Sequence, residues 1–257
     1  MIELRELSKS YPARGPAVRG LNLTVASGEF LVLAGPSGCG KTTTLTMINR
    51  LTEPSSGTVL VDGVDARSTD PVALRRRIGF VFQDIGLFPH LNVAENAGIV
   101  LRLLGKSPAE IGARVDELLA LVQLPAQEFR DVFPAALSGG QRQRVGVARA
   151  LAASPRIMLM DEPFGAIDPI TRDGLASDYR QIHERLGLTT ILVTHDMTEA
   201  ILLADRIALM REGRLVQVGT TNELISAPAD DFVRAMMESP RRRSEALASA
   251  LRAGSRA

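Results

Sequence analysis

Four short stretches of the chain are apolar at nearly every position. They are Phe30-Leu31-Val32-Leu33-Ala34, Ile78-Gly79-Phe80-Val81-Phe82, Ile157-Met158-Leu159-Met160 and Thr190-Ile191-Leu192-Val193-Thr194. Runs that are apolar on both faces predict strands buried inside a parallel sheet. Between them the apolar residues recur at helical spacing, over residues 45–50, 114–122 and 176–186. Strands alternating with helices predict an α/β fold, with ligand loops at the C-terminal ends of the strands. Thr58-Val59-Leu60-Val61 reads as a further strand ending in an Asp62-Gly63 turn. From about Leu87 to Ser154 no strand pattern is clear, which predicts a helical insertion between the second and third runs. No internal repeat is evident.

Composition adds little to this picture and removes some alternatives. Of 257 residues, 45% are hydrophobic and 23% charged, ordinary values for a globular chain. The net charge is +1, which gives no electrostatic case for nucleic acid as the main partner. A lone cysteine, Cys39, excludes an intrachain disulfide framework and fits a reducing compartment. No apolar run approaches the roughly 20 residues needed to span a bilayer. Met1-Ile2-Glu3-Leu4-Arg5 lacks the basic and apolar regions of a secretory signal. Charge is unevenly spread: residues 231–257 carry six arginines against three acids, +3 in all, and leave −2 for the rest. With Ser239-Pro240 and many Ala and Ser, this tail reads as a basic appendage with helical pieces. It is either a solvated, partly disordered segment or a peripheral contact with an anionic surface or a partner.

The first apolar run leads into Gly35-Pro36-Ser37-Gly38-Cys39-Gly40-Lys41-Thr42, a full match to G-x-x-x-x-G-K-[ST], and a helix comes next; Thr43 is counted with the loop among the cofactor-binding residues. The spacing has a chemical reason. Glycines allow backbone N–H groups to turn inward around phosphate oxygens, and the helix presents its positive end to the same anion. Lys41 can reach β- and γ-phosphates, and Thr42 can ligate Mg²⁺. Cys39 reads as a small filler within the loop. The third run ends in Asp161-Glu162. Asp161 at a strand end can hold Mg²⁺ through water, and Glu162 can polarise an attacking water.

Leu137-Ser138-Gly139-Gly140-Gln141 then offers a hydroxyl and backbone N–H groups just before a helix, a second anion site. Arg142 and Arg144 add positive charge beside it. This LSGGQ run, with the phosphate loop and the acidic pair in this order, resembles the ATP-binding cassette (ABC) ATPases over roughly residues 1–226. The resemblance implies a P-loop NTPase fold: a RecA-like core with a parallel sheet (about 1–86 and 155–226), an N-terminal antiparallel β region and an inserted helical subdomain (about 87–154). The tail from 227 would come after it. ATP and Mg²⁺ are the implied cofactors, with Thr42, Asp161 and Gln83 near the metal. The implied partner is a second copy of the chain, paired head-to-tail so that Ser138, Gly139, Gly140 and Gln141 face the nucleotide on the other cassette.

The same resemblance covers further positions. Tyr11 looks like the aromatic that stacks on adenine, its alternative being a core tyrosine. Gln83 resembles the Q-loop glutamine, His195 the switch histidine that contacts the γ-phosphate, and Asp168 the D-loop aspartate that acts across the dimer. Gly165 stands where Ser is common in the family. Phe88, Pro89 and His90 read either as part of a groove that grips a membrane subunit or as packing of the helical insertion.

Lys41-Thr42-Thr43-Thr44-Leu45-Thr46-Met47-Ile48-Asn49-Arg50-Leu51, Gln83-Asp84-Ile85-Gly86-Leu87-Phe88-Pro89-His90 and Asp161-Glu162-Pro163-Phe164-Gly165-Ala166-Ile167-Asp168-Pro169-Ile170-Thr171-Arg172 look like the ATPases of osmoprotectant and quaternary-amine importers. These take up glycine betaine, carnitine, choline and similar solutes. Nitrate-, sulfonate- or taurine-type importers are the nearest alternative; an exporter or a soluble ABC protein is more remote. The resemblance implies two transmembrane permease subunits, an indirect link to a solute-binding protein, and a peripheral place on the cytoplasmic face of the membrane. Many ATPases of this group continue into paired CBS domains. This chain ends near where they would begin, so sensing by that module is expected to be absent or to sit on another subunit.

Overall fold

The computed structural model describes residues 1–13, 15–165 and 167–254, and not the side chains of 169–170, 243 and 246–254. Ala166, and the last three residues of the tail, lie outside the described residues.

In chain order the elements begin with β1 (Ile2–Tyr11), β2 (Gly15–Val25), β3 (Phe30–Ala34), α1 (Lys41–Ile48), β4 (Ser56–Val61), β5 (Val64–Asp65), α2 (Pro71–Arg77) and β6 (Ile78–Val81). The helical stretch α3 (Val93–Leu103), α4 (Pro108–Leu121), α5 (Ala126–Phe129) and α6 (Gly139–Leu151) comes next. The chain then runs through β7 (Ile157–Asp161), α7 (Pro169–Leu186), β8 (Thr189–Thr194) and α8 (Met197–Leu203). It closes with β9 (Arg206–Arg211), β10 (Arg214–Gly219), α9 (Thr221–Ser226) and α10 (Asp231–Gly254).

Two sheets result. A six-stranded sheet has the order β10-β9-β3-β8-β7-β6, with β9, β3, β8, β7 and β6 parallel and β10 antiparallel at the edge. Strands β3, β7 and β8 are buried at every position, because both of their faces are covered. Successive residues point to opposite sides. Val32, Met158, Met160 and Leu192 enter a core shared with the helices, while Leu31, Leu33, Leu159, Ile191 and Val193 enter a second core. The second core is shared with the antiparallel sheet β2-β1-β4-β5, whose strands bury one face only: Ile2, Leu4 and Leu7 of β1, Leu21, Leu23 and Val25 of β2. The Asp62-Gly63 turn joins β4 to β5, both residues at positive φ as a tight hairpin requires.

Among the described residues no strand lies between β6 and β7. The helices there start on explicit signals. Asn92 with Glu95, Ser107 with Glu110 and Ser138 with Gln141 form reciprocal capping boxes that satisfy the otherwise unpaired N–H groups of α3, α4 and α6.

The tail departs from the expectation. Its first turns are not an appendage: Val233 is fully buried and Met237 nearly so, with Phe232 and Met236 partly buried against the same core. The guanidinium of Arg211 stacks 4.8 Å from the Phe232 ring. Composition hid this, because Arg, Ala and Ser dominate the count while the apolar residues sit in adjacent pairs four apart, on one helical face. Pro240 lies inside α10. No described helix is long and apolar enough to cross a membrane.

Candidate functional site

Parallel neighbours β3, β8, β7 and β6 end at the same edge of the sheet, so the residues just beyond each strand gather there. After β3 comes the glycine loop, after β8 His195, at and after the end of β7 Asp161 and Glu162, and two residues beyond β6 Gln83.

The loop is held by backbone contacts that only glycine permits. Gly35 has φ +151°, and a Cβ there would lie 2.2 Å from the Met210 carbonyl oxygen on β9. Gly40 has φ +104°, and its Cβ would lie 2.4 Å from the Ala17 carbonyl oxygen on β2. Pro36, Ser37 and Gly38 stay exposed, while Cys39 is buried. Burial pushes the Cys39 thiol up, opposed by the Lys41 charge, so it remains a neutral filler as its position suggested. Lys41 is 4% exposed, and its ammonium donates to the carbonyl oxygens of Gly35 (2.8 Å) and Pro36 (3.0 Å), closing the loop over itself.

Thr42 Oγ1 donates to Asp161 Oδ1 at 2.9 Å, joining the start of α1 to the end of β7. Burial pushes the Asp161 carboxyl up and the neighbouring Glu162 charge adds to that; the Thr42 hydrogen bond and the Lys41 charge oppose it. Among the described residues no cluster of three or more His, Cys, Asp or Glu could hold a metal. A hydroxyl and a carboxylate at this spacing nevertheless suit Mg²⁺, which keeps several waters and takes one or two protein oxygens beside phosphate.

Glu162 sits at φ +43°, a conformation uncommon for a non-glycine residue, with its N–H fixed to the Val193 carbonyl at 2.9 Å. That geometry turns the carboxylate to the exposed His195, whose Nδ1 lies 2.9 Å from Glu162 Oε2. Gln83 is exposed and, with Asp161, lines a cavity of about 640 Å³ that also includes Phe82, Phe88 and Arg149. The Arg149 guanidinium donates to the carbonyls of Gly86 and Ile85, pinning the segment after Gln83. Of the Phe88-Pro89-His90 run, Phe88 reaches this cavity, and its ring packs edge-on to His90.

Other expected residues lie elsewhere. Tyr11 ends β1 in the antiparallel sheet, opposite Gly15 and with the Lys9 ammonium 5.1 Å from its ring. Ser138 and Gln141 satisfy each other at the start of α6, and no hydrogen bond or ion pair among the described residues joins 137–141 to 35–43. Gly140 is buried because a Cβ would press to 2.6 Å on Thr171 of α7; Gly139 has open space. Asp168 caps α7 by accepting from the Thr171 N–H. Arg142 keeps its charge beside LSGGQ, as expected, whereas the charge of Arg144 is met by a carboxylate. Arg142 donates to the Leu137 carbonyl, while Arg144 pairs with Asp178 of α7 at 2.7 Å and donates to the Val122 carbonyl.

Sequence reasoning passed over Arg172, Thr194 and Glu199. Thr194 Oγ1 donates to the buried Glu199 carboxylate at 2.7 Å and accepts from the Asp196 N–H at 3.0 Å. The spacing of Thr194, Asp196 and Glu199 around a helix start was the available signal.

A family model described as "ABC transporter" matches residues 18–165. The glycine betaine/carnitine/choline transport ATP-binding protein OpuCA of Bacillus subtilis (strain 168) is 51% identical over 233 residues, covering 91% of this chain and 61% of that protein. The glycine betaine uptake system ATP-binding protein YehX of Escherichia coli (strain K12) is also 51% identical, over 91% of this chain and 75% of that protein. The chain spans about three fifths of the length of the first of these relatives. A dimeric structure of the ATP-binding cassette MJ0796 in a post-hydrolysis state, bound to ADP and Pi, superposes with a TM-score of 0.77 at 35% identity, over 86% of this chain and 98% of that one. The family model spans the phosphate loop, LSGGQ and the acidic pair, and the relatives match nine tenths of the chain: this chain belongs to the ABC transporter family.

Proposed function

We propose that the chain binds ATP with Mg²⁺ and hydrolyses it as the ATPase subunit of an importer for osmoprotectant and quaternary-amine solutes. The observation that carries the chemistry is the pairing of two contacts at one sheet edge: Thr42 with Asp161, and Glu162 with His195.

The phosphate loop takes the triphosphate. Lys41, now bonded to two carbonyls of its own loop, exchanges those partners for phosphate oxygens, and the start of α1 adds its positive end. Thr42, Asp161 and Gln83 would hold the magnesium ion. When bound, that ion neutralises phosphate charge. Glu162 accepts hydrogen-bonded water and orients it towards the γ-phosphate. His195 keeps the carboxylate in place through Nδ1, and Nε2 is the ring nitrogen left for the phosphate. Tyr11 stacks on the adenine.

A second copy completes each site. Ser138, Gly139, Gly140 and Gln141 of one copy close on the nucleotide held by the other, and Asp168 acts across that interface. ATP thus favours a closed pair and its loss an open one, which is how binding energy becomes movement. The cavity between Gln83, Phe88 and Arg149 receives a segment of each of two transmembrane subunits at the cytoplasmic face, with a solute-binding protein delivering cargo to them. The solute class rests on the relatives' names, because the ATPase does not touch the solute.

Phosphate release from purified chain with MgATP tests the enzyme. Uptake of labelled glycine betaine, choline and taurine in a deletion strain tests the cargo. Loss of betaine or choline uptake is expected; loss of taurine uptake alone would overturn the osmoprotectant reading.

A further inference from the structure

Arg172, in the first turn of α7, touches two loops that hydrolysis needs in register. Towards the segment after Glu162, its Nη2 donates to the Ile167 carbonyl at 3.0 Å and reaches the Gly165 carbonyl at 3.5 Å. Towards the loop carrying His195, its Nη1 lies 3.7 Å from Asp196 Oδ2, and its Nε lies 4.0 Å from Glu199 Oε1. Both loops also meet at the reaction centre. The Gly165 N–H donates to the Glu162 carbonyl at 3.2 Å, and Glu162 Oε2 meets His195 Nδ1. The contacts therefore close a ring that runs from Glu162 through Gly165, Arg172, Asp196 and His195 back to Glu162.

The ring is uneven. The contact to Ile167 is a hydrogen bond, but those to the two carboxylates are ion pairs beyond hydrogen-bond reach, and among the described residues the buried Arg172 Nε has no hydrogen-bond partner. An unpaired buried donor is costly, and moving the start of α8 about 1 Å towards α7 would satisfy it. There is room for that movement. One cavity of about 460 Å³ runs between α7 and α8 beside Arg172, and another of about 230 Å³ separates the His195 loop from Ser239 and Pro240 of α10. Glu199 is anchored to the same loop by Thr194 Oγ1.

We propose that Arg172 is a positioning residue for hydrolysis: it straps the loop of His195, through Asp196 and Glu199, to the segment between Glu162 and Asp168, and tightens when His195 closes on the γ-phosphate. The inference rests on the ATPase reading above. Arginine suits this task where lysine does not, because its planar fork serves carbonyls on one side and carboxylates on the other.

The test compares steady-state ATP hydrolysis by the full chain and by Arg172→Ala, Arg172→Lys, Glu199→Gln and the double variant Arg172→Ala/Glu199→Gln, with thermal melts alongside. Arg172→Ala is expected to lower kcat by about ten- to a hundredfold while KM for MgATP stays within about twofold, because orientation is lost and binding is not. Arg172→Lys should restore only part of the rate. Glu199→Gln should lower kcat in the same direction, and the double variant should be no slower than Arg172→Ala alone, as expected of residues acting as a unit. A kcat within about twofold of the unsubstituted chain in both Arg172→Ala and Glu199→Gln would overturn the proposal. So would a KM that rises in step with the fall in rate, which marks a merely structural role. If Arg172→Ala does not fold, Arg172→Lys and Glu199→Gln decide by the same criteria. Absence of turnover in the unsubstituted chain would instead sink the ATPase reading itself.

Discussion

His195 Nδ1 lies 2.9 Å from Glu162 Oε2, although 33 residues separate them and they come after different strands. A carboxylate only accepts, so the contact selects the ring form with hydrogen on Nδ1. Two backbone facts produce it: the positive φ of Glu162, and the hydrogen bond from its N–H to Val193 on the strand that delivers His195. Glu162→Gln keeps the shape and a hydrogen-bonding oxygen but cannot take a proton from water. Turnover should fall by roughly 10²–10⁴, while ATP still binds and a dimer accumulates on size-exclusion chromatography in ATP. Normal turnover in this variant would remove Glu162 from the catalytic role.

Lys41 is the next decisive residue, because it is buried and, among the described residues, its ammonium donates only within the loop, to Gly35, Pro36 and the Cys39 sulfur. A ligand bound at a hundred times its Kd stabilises by about 2.7 kcal/mol, which a melting curve registers as a higher Tm. Lys41→Ala should abolish the rise that MgATP produces. A rise equal to that of the unsubstituted chain would refute the phosphate-loop assignment.

Much of this was legible in the sequence, for physical reasons. A strand covered on both faces has to be apolar throughout, so β3, β7 and β8 announced themselves, and a phosphate loop needs glycines at fixed spacing whatever surrounds it. The features that stayed hidden depend on partners distant in sequence. Nothing in the loop itself says that Met210 and Ala17 press on Gly35 and Gly40. Arg144 reads as charge beside an anion site until Asp178, 34 residues away, is seen to pair with it. The tail read as an appendage because a count of charges does not report which helical face carries Val233 and Met237.

Gly40 makes that distant dependence testable. A methyl group there meets the Ala17 carbonyl oxygen at 2.4 Å, at a φ that L-residues rarely adopt. Overpacking against backbone costs about 1–3 kcal/mol, and the backbone strain adds to it. Gly40→Ala should therefore lower Tm by about 5 °C or more, and should weaken nucleotide binding because the loop shifts away from β2. Gly139→Ala is the matched control, since a Cβ there meets nothing; its Tm should stay close to that of the unsubstituted chain. Equal effects at the two positions would count against the packing argument.

Asp161 yields a prediction with a sign. Burial raises its carboxyl above the ordinary 3.8, so the folded chain holds this proton at a higher pH than the unfolded chain does. Between the ordinary and the raised value the folded state binds more protons, and by linkage stability falls as pH rises through that window. Above the window the full penalty of a buried charge remains. Asp161→Asn removes the charge and can still accept from Thr42 Oγ1, so the nucleotide-free variant should melt higher than the unsubstituted chain at pH 7. That difference should shrink as pH is lowered towards 3.8, because the native carboxyl takes up its proton on the way down. The same variant should lose the stabilisation that Mg²⁺ adds to bound ATP, because an amide is a poor partner for a hydrated divalent cation. Melting curves from neutral to acid pH, with and without MgATP, carry both readouts. A lower Tm for Asp161→Asn at pH 7 would show that the Thr42 hydrogen bond outweighs desolvation at this strand end.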